Sequence, residues 1–254
     1  MTPIQMLLIV CPLIFLASFV DSIAGGGGLI SIPAYLLTGI PPHMAFGSNK
    51  LSAASGTAFA AFRFYQHRKI DLRGAILSAL FALAGAVLGT KINLMIDASV
   101  IKRVILFVIP LIAVFVLLNG KQDRQRPKLG GHALDLVCIL AGFGIGLYDG
   151  LIGPGTGSFL IVIYTSVAGY DYVTASGNAK IVNLASNLAS LTVFIISGQV
   201  IYWLALPAAL CSILGGWTGS RLAISRGKKL IQAVLVLVML GIIIKLAIDL
   251  SGGA

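Results

Sequence analysis

Two glycine-rich runs carry the first chemical signal in this chain: Ala24-Gly25-Gly26-Gly27-Gly28 and Gly153-Pro154-Gly155-Thr156-Gly157. Each follows an aspartate, so the pattern Asp-x-x-x-Gly-x-Gly occurs at Asp21 and again at Asp149, with Ser22 beside the first. A glycine run inside an apolar helix interrupts the hydrogen-bond ladder and bares backbone N–H groups. The half-helix that starts there adds the positive end of its dipole, and the two together attract anions. Glycine also lets a ligand approach the backbone closely. The same glycines would serve tight helix packing, but interrupted segments at matching places in two halves point to a site.

Lys50 and Lys180 are the second signal. Each stands inside a long apolar run, where a charge is costly and usually functional. They could neutralise an anionic solute near a shared midplane level, or snorkel to the headgroups. Around Lys180, Ser176, Asn183, Asn187 and Ser190 share one helical face. Around Lys50, Ser48, Asn49, Ser52, Ser55 and Thr57 play that part less tidily. Asp21 and Asp149 have three open roles: capping the next helix, pairing with Lys50 or Lys180, or exchanging a coupling proton. The candidate substrate-binding set is therefore Asp21, Ser22, Gly25, Gly26, Gly27, Gly28, Asn49, Lys50, Asp149, Gly153, Gly155, Thr156, Lys180, Asn183 and Asn187.

The elements that must position these residues are set by composition. The 254 residues are 58% hydrophobic and 10% charged, with a mean hydropathy of +1.01. Soluble domains carry about 25% charged residues, so a soluble enzyme, a disordered tail and a secreted disulfide scaffold are excluded. Short apolar segments run over Ile4–Val20, Leu29–Ile40, Ala133–Tyr148 and Gly157–Ala168. Longer ones run over Met44–Phe62, Gly74–Thr90, Ala98–Leu118, Tyr172–Ser197, Val200–Ser220 and Leu230–Ile248. A bilayer core needs about 20 helical residues. The two pieces that follow the glycine runs reach only about 18 Å, which predicts a discontinuous helix or a re-entrant hairpin at each break.

The chain repeats itself. The Asp-Gly pattern returns at an offset of 128, while Ala45, Gly47 and Lys50 return as Ala175, Gly177 and Lys180. Gly85, Gly89 and Lys91 return as Gly215, Gly219 and Arg221. Ordered matches along both halves indicate duplication. Residues 1–120 form the first transmembrane repeat, 121–130 a basic cytoplasmic linker, and 131–254 the second repeat.

Charge gives the orientation. The net charge is +10, with eighteen Lys and Arg. Basic residues gather at the ends of apolar runs, which fits anionic lipid or an anionic solute and not nucleic acid. Arg63, Arg68, Lys69, Arg73, Lys121, Arg124, Arg126, Lys128, Arg221, Arg226, Lys228 and Lys229 are assigned to the cytoplasm. The counterpart of the first cluster, Gly198-Gln199-Val200, carries no charge and falls outside. The two halves are therefore inverted, an architecture of secondary transporters, with an odd number of crossings each and both termini outside. No Lys or Arg precedes Lys50, so a cleavable leader is not expected. Lys91, Lys102 and Arg103 fall outside, against the rule.

Cys11, Cys138 and Cys211 lie in apolar stretches without metal spacing and read as core residues. No enzyme constellation and no nucleotide loop occurs, and no cofactor is implied.

Phe19-Val-Asp21-Ser-Ile-Ala-Gly-Gly-Gly-Gly28-Leu-Ile-Ser-Ile-Pro33, Ser48-Asn-Lys50-Leu, Gly146-Leu-Tyr-Asp149-Gly-Leu-Ile-Gly-Pro154, Gly219-Ser-Arg-Leu222 and Gly227-Lys-Lys-Leu-Ile231 together resemble the TauE/SafE family of sulfite exporters, in its YfcA-type branch. The likeness runs through nearly the whole chain, including the Asp-Arg-Gln-Arg linker. It implies a multi-pass permease of the cell inner membrane for sulfite, sulfoacetate or another organosulfonate. Thr156 stands where the first half has Gly28, so the half-sites are chemically unequal. The expected fold is an all-α polytopic membrane protein of two inverted repeats. The expected function is alternating-access transport of a small anion, with membrane lipids as partners and a coupling proton and oligomerisation left open. A passive anion channel and a non-transporting scaffold subunit are the alternatives.

Overall fold

A computed structural model describes residues 1–101 and 129–227, together with Ala233. The expected spans Ala98–Leu118 and Leu230–Ile248, most of the 121–130 linker, and Lys102, Arg103, Lys228 and Lys229 fall wholly or largely outside the described residues. So does the boundary expected at residue 120.

Eight α-helices make up the described chain, with no strand among the described residues: α1 Pro3–Ala24, α2 Gly28–Leu36, α3 Pro42–Gln66, α4 Leu72–Met95, α5 Gly131–Leu151, α6 Thr156–Ser166, α7 Tyr172–Ile196 and α8 Tyr202–Arg226. Four of them, α1, α4, α5 and α7, are long and apolar enough to cross a membrane. The helices α3 and α8 are 25 residues each, about 37 Å of rise, but carry more polar groups.

Local sequence explains several ends. Thr2 and Gln5 form a reciprocal capping box at the start of α1, with Pro3 in the first turn. Gly25 ends α1 in a left-handed conformation, φ 77°, the usual terminator of a helix. Asp171 caps α7 by accepting from the N–H groups of Val173 and Thr174. Partial burial acts to raise its pKa, but those bonds, that of the Thr174 side chain and the charge of Lys69 outweigh it. The carboxyl is held below its ordinary value of 3.8.

Both breaks turn the chain back on itself. At the end of α2, Tyr35 and Leu36 pack with Val10, Ile14 and Met6 of α1. At the end of α6, Leu160, Ile161 and Tyr164 pack with Leu134 and Cys138 of α5. Each pair thus folds back as a helical hairpin about its break. The first helices are longer than the apolar segments Ile4–Val20 and Ala133–Tyr148, because each continues through its aspartate to the glycines.

Contacts recur at the offsets seen in the sequence. A Cβ on Gly85 of α4 would lie 2.3 Å from the Phe143 carbonyl oxygen of α5, and one on Gly215 of α8 would lie 2.2 Å from that of Phe15 of α1. Gly89 meets Leu147 as Gly219 meets Phe19. These small residues let α4 lie on α5, and α8 on α1, backbone to backbone. Ser48 Oγ of α3 accepts from the Ile201 N–H at 3.0 Å, and Asn178 Oδ1 of α7 accepts from the Asp71 N–H at 2.8 Å. The start of α3 therefore meets the end of α7, and the start of α7 meets the end of α3, so these helices are antiparallel neighbours. Large apolar side chains cover the outside, among them Leu80 and its counterpart Leu210.

Candidate functional site

The antiparallel α3 and α7 bring their lysines in from opposite ends, and each finds an aspartate of the other half. Lys50 Nζ donates to Asp149 Oδ2 at 2.7 Å, to the Asp149 carbonyl at 3.0 Å and to Asn187 Oδ1 at 3.0 Å. Three protons and three acceptors saturate the ammonium. Lys180 Nζ donates to Asp21 Oδ2 at 2.6 Å and to the Asp21 carbonyl. Both lysines are buried, at 2% and 0% exposure, so neither snorkels. Two separate ion pairs result, Lys50 with Asp149 and Lys180 with Asp21. Of the roles left open for the aspartates, pairing is the one seen, and it crosses between halves both times.

The carboxylates differ in support. Asp149 Oδ2 also accepts from Ser186 Oγ at 2.7 Å, and its Oδ1 accepts from Thr156 Oγ1 at 2.8 Å. Among the described residues, Asp21 Oδ1 accepts only the Gly27 N–H, at 3.2 Å. The Asp21 side chain is 15% exposed, that of Asp149 4%.

The breaks meet between these pairs. Gly25 O accepts from the Ser158 N–H at 3.2 Å, and Ala24 O accepts from Ser158 Oγ at 2.8 Å. A Cβ on Gly25 would lie 2.2 Å from the backbone of Gly157. That contact requires glycine, as does the positive φ of Gly25, Gly153 and Gly155. Beside it opens a narrow cleft with about 40 Å³ of room for a water-sized occupant. Asp21, Gly25, Gly27, Gly28, Asn49, Lys50, Asp149, Gly153, Gly155, Thr156, Asn183 and Asn187 of the expected set line it. Ser22, Gly26 and Lys180 do not; Lys180 touches the cleft only through Asp21. The N–H groups of Gly28, Gly155 and Gly157 have no acceptor among the described residues. The helices that start at Gly28 and Thr156 both direct their positive ends here.

Sequence reasoning missed Ser18, Ser31 and Ser212, which also line the cleft, and Ser186 behind Asp149. Ser18 lies three residues before Asp21 on the same helix face, a signal that was available. Nothing in the spacing distinguished Ser212. Among the described residues no group of His, Cys, Asp or Glu could hold a metal ion.

A polytopic helical chain with helical hairpins meeting at a buried polar cleft is the design of a membrane transporter. Comparison with known proteins supplies the particular kind. The model of the sulfite exporter TauE/SafE family matches residues 10–246, and the chain belongs to that family. It is similar to a probable membrane transporter protein of Haemophilus influenzae, with 36% identity over 235 residues and 92% of each chain covered. It is likewise similar to the probable membrane transporter protein ORF9 of Sinorhizobium sp, at 36% over 237 residues, covering 92% of this chain and 90% of the relative. The probable membrane transporter protein YfcA of Escherichia coli is 34% identical over 240 residues, 93% and 88% of the two chains. No solved structure matches. The chain is a multi-pass membrane transporter by these relatives and by its apolar helices.

Proposed function

We propose that the chain is a secondary carrier for a small anion of the sulfite or organosulfonate kind, built as two inverted repeats that rock about the central cleft. The supporting observation is the convergence of both interrupted helices on one cleft, with bare N–H groups and two helix N-termini turned toward it. The repeated contacts between α3 and α7 favour inversion, because equivalent helices run in opposite directions. Units 1–120 and 131–254, joined by the basic 121–130 linker, are the rocking bodies. Arg63, Arg68 and Lys69, at or just after the end of α3, support a cytoplasmic position for that end at the inner membrane. The break residues of both halves, with Asn49, Asn183 and Asn187, bind the anion, and Lys50 and Lys180 set the local charge through their aspartates. The narrowness of the cleft favours a carrier over an open pore.

The test is flux into proteoliposomes of the purified full chain, using labelled sulfite and labelled sulfoacetate. Saturable uptake that is accelerated by unlabelled anion on the far side supports a carrier. Conductance without saturation would replace it by a channel, and absence of any flux or binding by a scaffold.

A further inference from the structure

Lys50 and Asp149 cancel, as do Lys180 and Asp21. Among the described residues no titratable side chain of α2, α6 or α8 lines the cleft; Asp21, Lys50 and Asp149 line it, and Lys180 stands behind Asp21. Among the described residues the charges at and behind the cleft cancel. An anion entering a neutral, poorly hydrated site leaves its water without meeting a countercharge, which is strongly unfavourable. Bare N–H groups lessen that cost and do not supply a charge. A companion cation would offset the remaining cost, and the group able to receive one is a carboxylate.

The two carboxylates are not equally able. Both oxygens of Asp149 are occupied, by donors from Lys50, Ser186 and Thr156. The matching positions around Asp21 lack the hydroxyls: Thr156 corresponds to Gly28, and Ser186 to Gly56. Asp21 keeps Lys180 and the long bond from Gly27, lines the cleft and is the more exposed of the two. A negative guest beside it favours the neutral carboxyl.

We infer that the cleft takes up its anion together with one proton, which binds the carboxylate of Asp21. The inference rests on the carrier reading above and deepens it. The proton comes from solvent; no covalent bond forms other than its O–H bond to Asp21. The neutral carboxyl donates that hydrogen toward the anion. Lys180 behind it, still held by the Asp21 carbonyl, becomes the uncompensated positive charge. A monovalent sulfonate and its proton then move without net charge on the site.

The experiment measures protons taken up when anion binds to the purified full chain in weakly buffered detergent solution. The probes are isethionate and sulfoacetate, which do not themselves titrate near neutrality. The expected result for wild type is about one proton per anion bound, with affinity weakening as pH rises. In Asp21→Asn, whatever anion binds should do so without proton uptake, and Asp21→Glu should restore uptake with a shifted pH profile. Binding without proton uptake in wild type overturns the inference and leaves the carrier reading standing. So does undiminished uptake in Asp21→Asn. Should that variant fail to fold, an unchanged pH profile in Asp21→Glu overturns the assignment to Asp21. Absence of binding by isethionate, sulfoacetate and sulfite alike overturns the carrier reading itself, and this inference with it.

Discussion

Removing Lys50 alone should damage the protein more than removing Lys50 and the charge of Asp149 together. In Lys50→Met the Asp149 carboxylate, 4% exposed, keeps the hydroxyls of Ser186 and Thr156 but loses its only cationic partner. Breaking a buried pair from one side costs about 3–5 kcal/mol, because the remaining charge is stranded. For a chain of this size each kcal/mol moves the melting temperature by about 2–4 °C, so the single variant should melt roughly 6–20 °C lower. Lys50→Met with Asp149→Asn leaves no stranded charge. The asparagine can accept from one of the Thr156 and Ser186 hydroxyls through Oδ1 and donate to the other through Nδ2, so more than half of the loss should return. The assay is thermal unfolding in detergent followed by the fluorescence of Trp203 and Trp217. The second of these reports directly on the α3–α8 contact through Arg63, stacked 4.4 Å above its ring. A double variant that melts as low as Lys50→Met, or lower, would refute the stranded-charge account. The damage would then lie in lost packing of the lysine stem.

Other outcomes follow from the same geometry. Gly25→Ala combines a clash against Gly157 with a left-handed φ, and should cost at least about 2 kcal/mol. Gly144→Ala, with open space at its Cβ, should be neutral or stabilising by up to about 1 kcal/mol; paired melting curves decide. Gly85→Ala and Gly215→Ala should each lose about 1–3 kcal/mol and agree closely with one another, since both insert a methyl against the partner helix backbone. A several-fold disparity in their melting shifts would contradict the matched packing. Asp171→Ala should cost about 1 kcal/mol through loss of the α7 cap. The folded carboxyl titrates below 3.8, so this contribution is present above that value and disappears as pH falls through the lowered one. The wild-type advantage over Asp171→Ala in melting temperature should therefore shrink below about pH 4.

The fold was legible wherever backbone contact demands one residue type. The offsets of 128 and 130 rest on glycines, and the structure explains them: Gly85, Gly89, Gly215 and Gly219 lie where helices touch backbone to backbone. The breaks were legible for the same reason. Whether the chain turns back at them was not, because that depends on Tyr35 meeting Val10 and on Tyr164 meeting Cys138, contacts that no periodicity encodes. The length of α1 was underestimated because an aspartate in an apolar run reads as a stop. In the fold Asp21 is neutralised by Lys180, 159 positions away, and the helix runs on to Ala24. The partner choice was illegible in principle. A repeat that carries one Asp and one Lys per half fits pairing within a half as well as pairing across, and only the antiparallel placement of α3 and α7 decides for crossing.

That crossing also explains why the two halves diverge in polar residues while their backbones match. Ser186 supports Asp149, and its counterpart is Gly56. A Cβ at Gly56 would lie 2.3 Å from Ser18 Oγ and 2.3 Å from Ser212 Oγ, so the first half has no room there for a serine. Ser18 in turn donates to the Ser212 carbonyl at 2.7 Å, a bond that fastens α1 to α8 in place of the glycine contact made by the corresponding Gly146 against Ala82. One change in how α1 meets α8 therefore removes a donor from Asp21. The difference between the carboxylates is thus built into helix packing and is not a matter of side chains free to vary one by one. Restoring a hydroxyl to Asp21 would require Gly56→Ser together with Ser18→Gly and Ser212→Ala, and a small shift of α8 away from α3, because both hydroxyls and the Ser212 carbonyl crowd that position. If that set of changes also abolished the proton uptake expected of Asp21, packing and coupling would be shown to be one property of the same seam.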